Sequence, residues 1–297
     1  MENKEVKEKN VPAFRSNAYS FWRYLAFALA GFVGGQTIGG GIGYAITFIL
    51  PVFREGGLLH PYADAYTTII AFAVTFLFIL LMLKVILKTD FKSTVTGNRP
   101  YKIGYAVGCA AVYLAVTLIY VLIRRDSIRV NPAPAAARII SLILVLLFVP
   151  MQTTAEELVF RTTLGRLFIR NEQPKNIGKI LGISLLSGAL FLAPHLANPE
   201  VAAYGMVVAL FSYFLVGFML MLISLLTGSF EGALAIHAIN NIYAMMFVTG
   251  EVSAVSFPAF FVEADTSAWV NCVLYIALYT AVLLWTLLYK KKYMTEE

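Results

Sequence analysis

Long apolar stretches separated by short polar segments dominate the hydrophobic pattern of this chain. Each stretch approaches the length of about 20 mostly apolar residues that a membrane-spanning helix needs. The stretches are continuous and do not alternate between apolar and polar residues, which favours helices over the strands of a membrane β-barrel. The pattern therefore predicts an all-α integral membrane protein with about eight transmembrane helices, at residues 21–50, 65–87, 103–123, 138–160, 178–197, 201–226, 231–249 and 269–289.

Composition agrees with this pattern. The 297 residues are 59% hydrophobic and 13% charged, with a mean hydropathy of +0.76, whereas soluble domains carry about 25% charged residues. A net charge of +6 would suit a nucleic-acid partner, but the basic residues flank the predicted spans, which is typical of membrane topology. We therefore expect a lipid bilayer and no nucleic acid as partner. Cys109 and Cys272 lie within predicted spans and indicate no disulfide.

The distribution of lysine and arginine predicts the orientation of the chain. Basic clusters precede the first span and follow the last, and further clusters lie between spans two and three and between spans four and five. With an even number of spans, the positive-inside rule places both termini in the cytoplasm. A charged, polar start without a cleavage site indicates a retained anchor rather than a signal peptide. One loop disagrees with this orientation, because it places four arginines outside: Arg124, Arg125, Arg129 and Arg138.

Two further local features predict helix packing. Gly35, Gly39 and Gly43 are spaced four residues apart in the first span, and small residues at this spacing let two helix backbones approach closely. The helix that begins near residue 138 is expected to continue to about Arg170, and the chain to reverse at 171–175. At about 1.5 Å per residue, position 156 then lies opposite residues 190 and 191.

Three polar groups interrupt the apolar segments of the second half of the chain. An ionisable side chain near the centre of a bilayer costs about 3 kcal/mol or more, so such residues are functional candidates. Because the three groups lie in neighbouring segments, we expect them to form one site. They comprise Glu156, Glu157 and Arg161 in the first segment, His195 in the second, and His237, Asn240 and Asn241 in the third.

The spacing of these residues suggests different roles. Adjacent helix residues point about 100° apart, so Glu156 and Glu157 cannot both face one cavity. Glu157 and Arg161 lie four apart on one face and are expected to pair. Glu156 is then available as a base for a water molecule, which His195 is able to share.

His237 and Asn241 also lie four apart and predict two donors for a tetrahedral oxyanion. Asn240 remains an alternative donor by its three-residue spacing from His237. Water, base and oxyanion donors together indicate amide hydrolysis. The ligand types of Glu156, His195 and His237 would also suit zinc, but no His-Glu-x-x-His helix occurs. We therefore expect glutamate catalysis without a cofactor, with zinc as the alternative.

Three short motifs resemble those of the CPBP intramembrane proteases, which include CAAX prenyl endopeptidases and bacterial bacteriocin-processing and self-immunity proteins. They are Glu156-Glu157-xxx-Arg161, Phe191-xxx-His195 and His237-xxx-Asn241, and the resemblance covers about residues 138–249. It implies an eight-span fold with a conical intramembrane cavity open to the cytoplasm. It also implies water activation by Glu156 and His195, and an oxyanion hole formed by His237 and Asn241.

The resemblance further implies a glutamic peptidase of the bacterial plasma membrane that cuts a membrane-associated peptide or protein, with or without a lipid chain. The expected organisation is a cytoplasmic tail (1–20), accessory helices (21–130), a catalytic core (131–249), and an outer loop with the last helix (250–297). Two other functional classes stay open at this point. One is a non-enzymatic immunity or scaffolding protein that binds a peptide. The other is a small-solute transporter, although the chain shows no internal repeat.

Overall fold

The computed structural model describes residues 21–168, 174–264 and 268–293. In these residues the chain is mostly helical, with one small sheet. The helices are α1 (Phe21–Ile49), α2 (Ala63–Val85), α3 (Phe91–Thr96), α4 (Ile103–Ile123), α5 (Ala135–Glu157), α6 (Thr163–Phe168), α7 (Ile177–Phe191), α8 (Pro199–Tyr204), α9 (Met206–Thr227), α10 (Glu231–Ile242) and α11 (Ala268–Tyr293).

The predicted all-α membrane fold is confirmed. Within the described ranges, seven helices are long and apolar enough to cross a membrane. The span predicted at 231–249 is shorter, because α10 continues only through a π-helical turn at Tyr243–Phe247. The span predicted at 201–226 is divided into α8 and α9. Gly205 separates them with a φ of 92°, a conformation that glycine adopts readily and that ends a helix.

The helix that carries the first polar group is continuous through three segments. α5 passes Pro150, continues through a π-helical turn at Leu158–Thr162, and is followed directly by α6, which reaches Phe168. A proline is tolerated in a membrane helix where neighbouring groups compensate the lost backbone hydrogen bond. The π-helical turn follows Glu157 directly, and such turns are frequent at functional sites. Most of the reversal predicted at 171–175, and Arg170 before it, lie outside the described residues.

The glycine face of α1 packs on α2, as its spacing predicts. Gly35, Gly39 and Gly43 are buried. A Cβ atom at Gly39 would overlap the carbonyl oxygen of Ala71, and one at Gly43 would overlap that of Thr67. The two helix backbones are therefore in direct contact, which is the usual effect of small residues four apart in membrane helices.

We expect Gly39→Ala to destabilise the protein by about 1–3 kcal/mol, because the added methyl group meets rigid backbone. Gly40→Ala is the matched control, since a Cβ at Gly40 has no atom within 4 Å. Thermal unfolding of the purified protein in detergent measures both effects. Equal melting temperatures for the two variants would show that α1 and α2 do not approach closely.

A three-stranded sheet, absent from the sequence prediction, joins loops at one end of the helical bundle. Its strands are β1 (Ile128–Val130), β2 (Val248–Gly250) and β3 (Phe261–Glu263). β3 lies in the middle, antiparallel to β1 and parallel to β2. We call this end of the bundle the sheet end.

The opposite end, where α1 begins and α11 ends, is called the tail end. Polar contacts there join the start of α4 to the end of α9 and the start of α10. The backbone N–H of Lys102 donates to Glu231, at 3.1 Å, and the Lys102 ammonium donates to the carbonyl of Thr227, at 3.3 Å. Arg99 donates to the carbonyl of Gly228. These bonds hold α4, α9 and α10 together at the tail end.

Candidate active site

The three polar groups predicted from the sequence meet around one cavity inside the bundle. Glu156 comes from α5, His195 from a 3₁₀ turn after α7, and His237 and Asn241 from α10. All four line a cavity of about 250 Å³. Glu156 is 5% exposed and His237 3%. The tertiary structure thus brings together residues that are up to 85 positions apart in sequence.

Glu157 points away from the cavity and forms a buried ionic contact. Its Oε1 atom lies 3.3 Å from Nη1 of Arg161, and both side chains are almost fully buried. The Arg161 guanidinium also lies over the ring of Phe191, 4.1 Å from its centroid. Neither Glu157 nor Arg161 lines the cavity. The two residues therefore connect α5 to α7 beneath the cavity wall.

His237 lies between the two glutamates. Its Nδ1 atom is 2.7 Å from Oε1 of Glu157, and a carboxylate oxygen accepts there, so Nδ1 carries the hydrogen. Its Nε2 atom is 3.6 Å from Oε2 of Glu156, beyond ordinary hydrogen-bond distance. A water molecule or a substrate oxygen is able to bridge a separation of this size. The contact with Glu157 thus directs the second nitrogen of His237 towards Glu156.

His195 is oriented by its own helix end. Nδ1 lies 2.8 Å from the carbonyl oxygen of Phe191, so Nδ1 donates and Nε2 remains the nitrogen that accepts a proton. The imidazole stacks on the ring of Tyr213, with centroids 4.3 Å apart. Asn198 donates to the Tyr213 hydroxyl at 2.9 Å. The four-residue spacing therefore places the His195 ring beside the backbone carbonyl of Phe191, one helical turn earlier in the chain.

A chain of side-chain hydrogen bonds runs along the cavity wall. The Tyr113 hydroxyl donates to Oδ1 of Asn240, at 2.7 Å, and Nδ2 of Asn240 donates to Oδ1 of Asn241, at 2.8 Å. Asn241 then donates to Oε1 of Gln152, at 3.3 Å. Gln152 donates to Oε1 of Glu156, at 3.0 Å. The chain thus links Glu156 to Asn241 across two helices.

Sequence reasoning missed Gln152 and Tyr113. Gln152 carried a usable signal, because it is an amide within an apolar span, four residues before Glu156 and thus on the same helix face. Tyr113 carried none, since tyrosine is common among the aromatic residues of membrane helices. Asn240 was predicted only as an alternative oxyanion donor. In the structure its side-chain amide nitrogen donates a hydrogen bond to Asn241.

The two carboxylates around His237 contact different nitrogens of its ring. Glu156 and Glu157 face opposite nitrogens of the imidazole ring, so their oxygens cannot converge on one cation. Across the described part of the chain, no group of three or more His, Cys, Asp and Glu residues has the geometry of a metal site. Metal dependence stays a prediction, with Glu156, His195 and His237 as the ligands if zinc binds.

The cavity extends from Glu156 and His237 to the sheet end. Its lining includes Glu200 on α8, Thr249 on β2 and Glu263 on β3. Six tyrosines also line it, at positions 113, 120, 204, 213, 243 and 275. Glu263 accepts hydrogen bonds from Tyr120 and is 2.9 Å from Nε of Arg124. This carboxylate raises the pKa of Arg124.

Cytoplasmic termini and a cavity open to the cytoplasm both stay predictions. α1 begins and α11 ends at the tail end, whereas the residues that line the cavity extend to the sheet end. The first expectation came from the basic clusters, and the second came only from the family resemblance.

The fold and this cavity define a multi-pass integral membrane protein with a buried polar site. Comparison of the sequence with known families adds that residues 136–243 match the family described as type II CAAX prenyl endopeptidase, Rce1-like. The matched range contains all eight site residues predicted from the sequence. The chain belongs to this Rce1-like family of intramembrane proteases.

One relative covers much more of the chain than the family match does. The uncharacterized protein YyaK of Bacillus subtilis (strain 168) is 32% identical over 245 residues, which are 77% of this chain and 79% of YyaK. The similarity therefore includes helices outside the matched family range. Comparison with solved structures gives no match.

Proposed function

We propose that this protein is an intramembrane endopeptidase that hydrolyses a peptide bond with water activated by Glu156. The observation that carries the proposal is the convergence of Glu156, His195, His237 and Asn241 on one buried cavity. Membership of a protease family supports the same reaction class. The proposed substrate is a membrane-associated peptide or the end of a membrane protein, and bacteriocin processing stays a prediction.

Glu156 is the proposed general base. Gln152 holds its Oε1 atom, which leaves Oε2 as the oxygen nearer His237. Oε2 takes a proton from water while the water oxygen attacks the carbonyl carbon of the peptide bond. His195 lines the same cavity and accepts a hydrogen bond from this water at Nε2. The carboxyl of Glu156 then gives its proton to the leaving nitrogen, so that a carboxylate and an amine are released.

His237 and Asn241 are the proposed oxyanion donors. Both ring nitrogens of His237 carry a hydrogen in this proposal: Nδ1–H donates to Glu157, and Nε2–H points to the side of Glu156. Asn241 has a second amide hydrogen besides the one that Gln152 accepts. Donors fixed in a cavity shielded from bulk water stabilise the developing charge strongly. Glu157 and Arg161 take the supporting role of holding His237 and Phe191 in place.

The reaction is tested by incubating proteoliposomes of the wild-type protein with a library of membrane peptides in water enriched in oxygen-18. Mass spectrometry is expected to find products whose new carboxyl group carries one heavy oxygen atom per cleavage, because the attacking oxygen comes from water. We expect the same rate in the presence of a metal chelator. Bound but uncleaved peptide would instead identify a binding protein, and loss of cleavage with chelator would identify a metal-dependent reaction.

Gln152 is proposed to position Glu156 and Asn241 rather than to contact the substrate. Gln152→Met has similar volume but cannot donate or accept these hydrogen bonds. Hydrogen bonds to charged groups contribute about 1.5–3 kcal/mol, so we expect kcat to fall by about 10- to 100-fold while KM changes little. Steady-state kinetics on a peptide from the cleavage experiment measures both constants.

The matched control for this variant is Gln36→Met on α1, outside the residues that line the cavity. It should leave kcat unchanged. A melting temperature for Gln152→Met near that of the wild type would separate a positioning effect from unfolding. An unchanged kcat for Gln152→Met would remove Gln152 from the proposed mechanism.

A further inference from the structure

We infer that Tyr113, on α4, is a positioning residue that sets the side-chain orientation of Asn241 and Glu156 through the amides between them. Its effect on catalysis rests on the proposed function, in which Asn241 is an oxyanion donor and Glu156 is the base. Tyr113 lies outside residues 136–243, which match the protease family, and outside the three sequence motifs. The inference therefore adds a residue from a helix outside the matched range to the site.

The first observation is that the chain of hydrogen bonds along the cavity wall can have only one direction. An ionised carboxylate accepts hydrogen bonds and donates none, so the amide nitrogen of Gln152 must face Glu156, at 3.0 Å. The oxygen of Gln152 then faces Asn241, which must present its own nitrogen, at 3.3 Å. For the same reason the oxygen of Asn241 faces the nitrogen of Asn240, at 2.8 Å. The oxygen of Asn240 is left at the far end of the chain, where it needs a donor.

Tyr113 supplies that donor. Its hydroxyl is 2.7 Å from Oδ1 of Asn240, and its side chain is buried. A tyrosine hydroxyl has a single hydrogen, and this bond uses it. α4 packs against α10, the helix that carries Asn240 and Asn241. The chain of hydrogen bonds thus has a neutral donor at one end and a carboxylate at the other.

Loss of the hydroxyl would affect every amide in the chain. The oxygen of Asn240, a buried residue, would lose this donor, and a buried acceptor without a partner is unfavourable. Rotation of the Asn240 amide by a half turn would direct its oxygen towards the oxygen of Asn241. Rotation of Asn241 and Gln152 as well would place the oxygen of Gln152 against the carboxylate of Glu156. Each rearrangement therefore disturbs the proposed oxyanion donor, the proposed base, or both.

Tyr113→Phe removes the hydroxyl and preserves the ring. We expect kcat to fall by about 10-fold while KM changes little, because the hydroxyl bonds to Asn240 and not to the substrate. The matched control is Tyr105→Phe on the same helix. Tyr105 is fully buried, and its hydroxyl bonds to Thr286 at 2.9 Å, away from the residues that line the cavity. Steady-state kinetics in proteoliposomes should give the wild-type kcat for this control, and the two variants should have similar melting temperatures.

A double-mutant cycle tests whether Tyr113 acts through Asn240. Asn240→Leu removes both the donor and the acceptor of the intervening amide. On that background Tyr113→Phe should lower kcat no further, because the connection through which it acts is already broken. An equal loss of kcat on both backgrounds would show an independent effect and would overturn the inference. A raised KM with unchanged kcat for Tyr113→Phe would identify a contact with the substrate and would also overturn it.

Solid-state NMR of protein labelled with nitrogen-15 in its asparagine side chains tests the orientation without any substrate. The side-chain signals of Asn240 and Asn241 are assigned by their loss in Asn240→Leu and Asn241→Leu. We expect both signals to shift in Tyr113→Phe and to stay in place in Tyr105→Phe. An unshifted Asn241 signal in Tyr113→Phe would overturn the inference.

The two measurements separate this inference from the proposed function. Shifted Asn241 signals in a protein whose wild type cleaves no peptide would refute the protease reaction and leave the orienting role of Tyr113 in place. Shifted signals together with an unchanged kcat would refute the effect of Tyr113 on catalysis and leave the protease reaction in place.

Discussion

Glu156→Gln is expected to lower kcat by about 10³-fold, because glutamine cannot take a proton from water, and general base catalysis contributes about 10²–10⁴-fold. KM is expected to change little, since the amide preserves the shape of the side chain and accepts the hydrogen bond from Gln152 at Oε1. Steady-state kinetics in proteoliposomes, with a peptide identified by the oxygen-18 experiment, measures both constants.

Glu251→Gln is the matched control for this variant. Glu251 lies at the surface of the sheet end, where it pairs with Arg129 and has a side chain that is 53% exposed. The same chemical change should therefore leave kcat within about twofold, as expected for a surface ion pair. Retention of more than a tenth of wild-type kcat by Glu156→Gln would contradict the assignment of Glu156 as the base.

Arg161→Met is expected to cause the largest loss of stability. It removes the cation from a contact in which the side chains of Arg161 and Glu157 are 0% and 1% exposed, and it leaves the carboxylate buried. Breaking a buried ion pair in this way costs about 3–5 kcal/mol. We expect the apparent melting temperature in detergent to fall by roughly 10 °C, because 1 kcal/mol shifts a large domain by about 2–4 °C.

Two further variants separate the charge effect from loss of packing against Phe191. The double variant Glu157→Gln/Arg161→Met removes both charges of the Glu157–Arg161 pair and should recover part of the lost stability. Arg129→Met breaks an exposed pair, with side chains 65% and 53% exposed, and should cost less than about 1 kcal/mol. If Arg161→Met melted at the same temperature as Arg129→Met, the buried pair would have no stabilising role.

The predicted helices were largely correct because each rests on local composition. A continuous apolar stretch in lipid must satisfy its backbone hydrogen bonds internally, and a helix does so without a distant partner. The glycine face of α1 was predictable for a similar reason, since the spacing of Gly39 and Gly43 fixes a single helix face. The division at Gly205 was not predictable, because glycine also occurs inside many membrane helices.

The sequence indicated which residues form the candidate site, but it indicated fewer of the contacts between them. The motifs indicated Glu156, His195, His237 and Asn241, and the spacing indicated that Glu157 and Arg161 share a face. The contact of His237 with Glu157 depends on how α10 is rotated relative to α5. The sequence of one helix alone does not determine this rotation. The role of Gln152 between Glu156 and Asn241 depends on the same packing.

The sequence by itself determined that this is a helical membrane protein with polar groups in three spans, because hydropathy and helical spacing are local properties. The tertiary structure decided which nitrogen of His237 meets which glutamate, and towards which end of the bundle the cavity extends. It also formed the sheet from β1, β2 and β3, whose three-residue strands are too short to show periodicity. These features depend on contacts between distant segments, and such contacts form only when the helices pack.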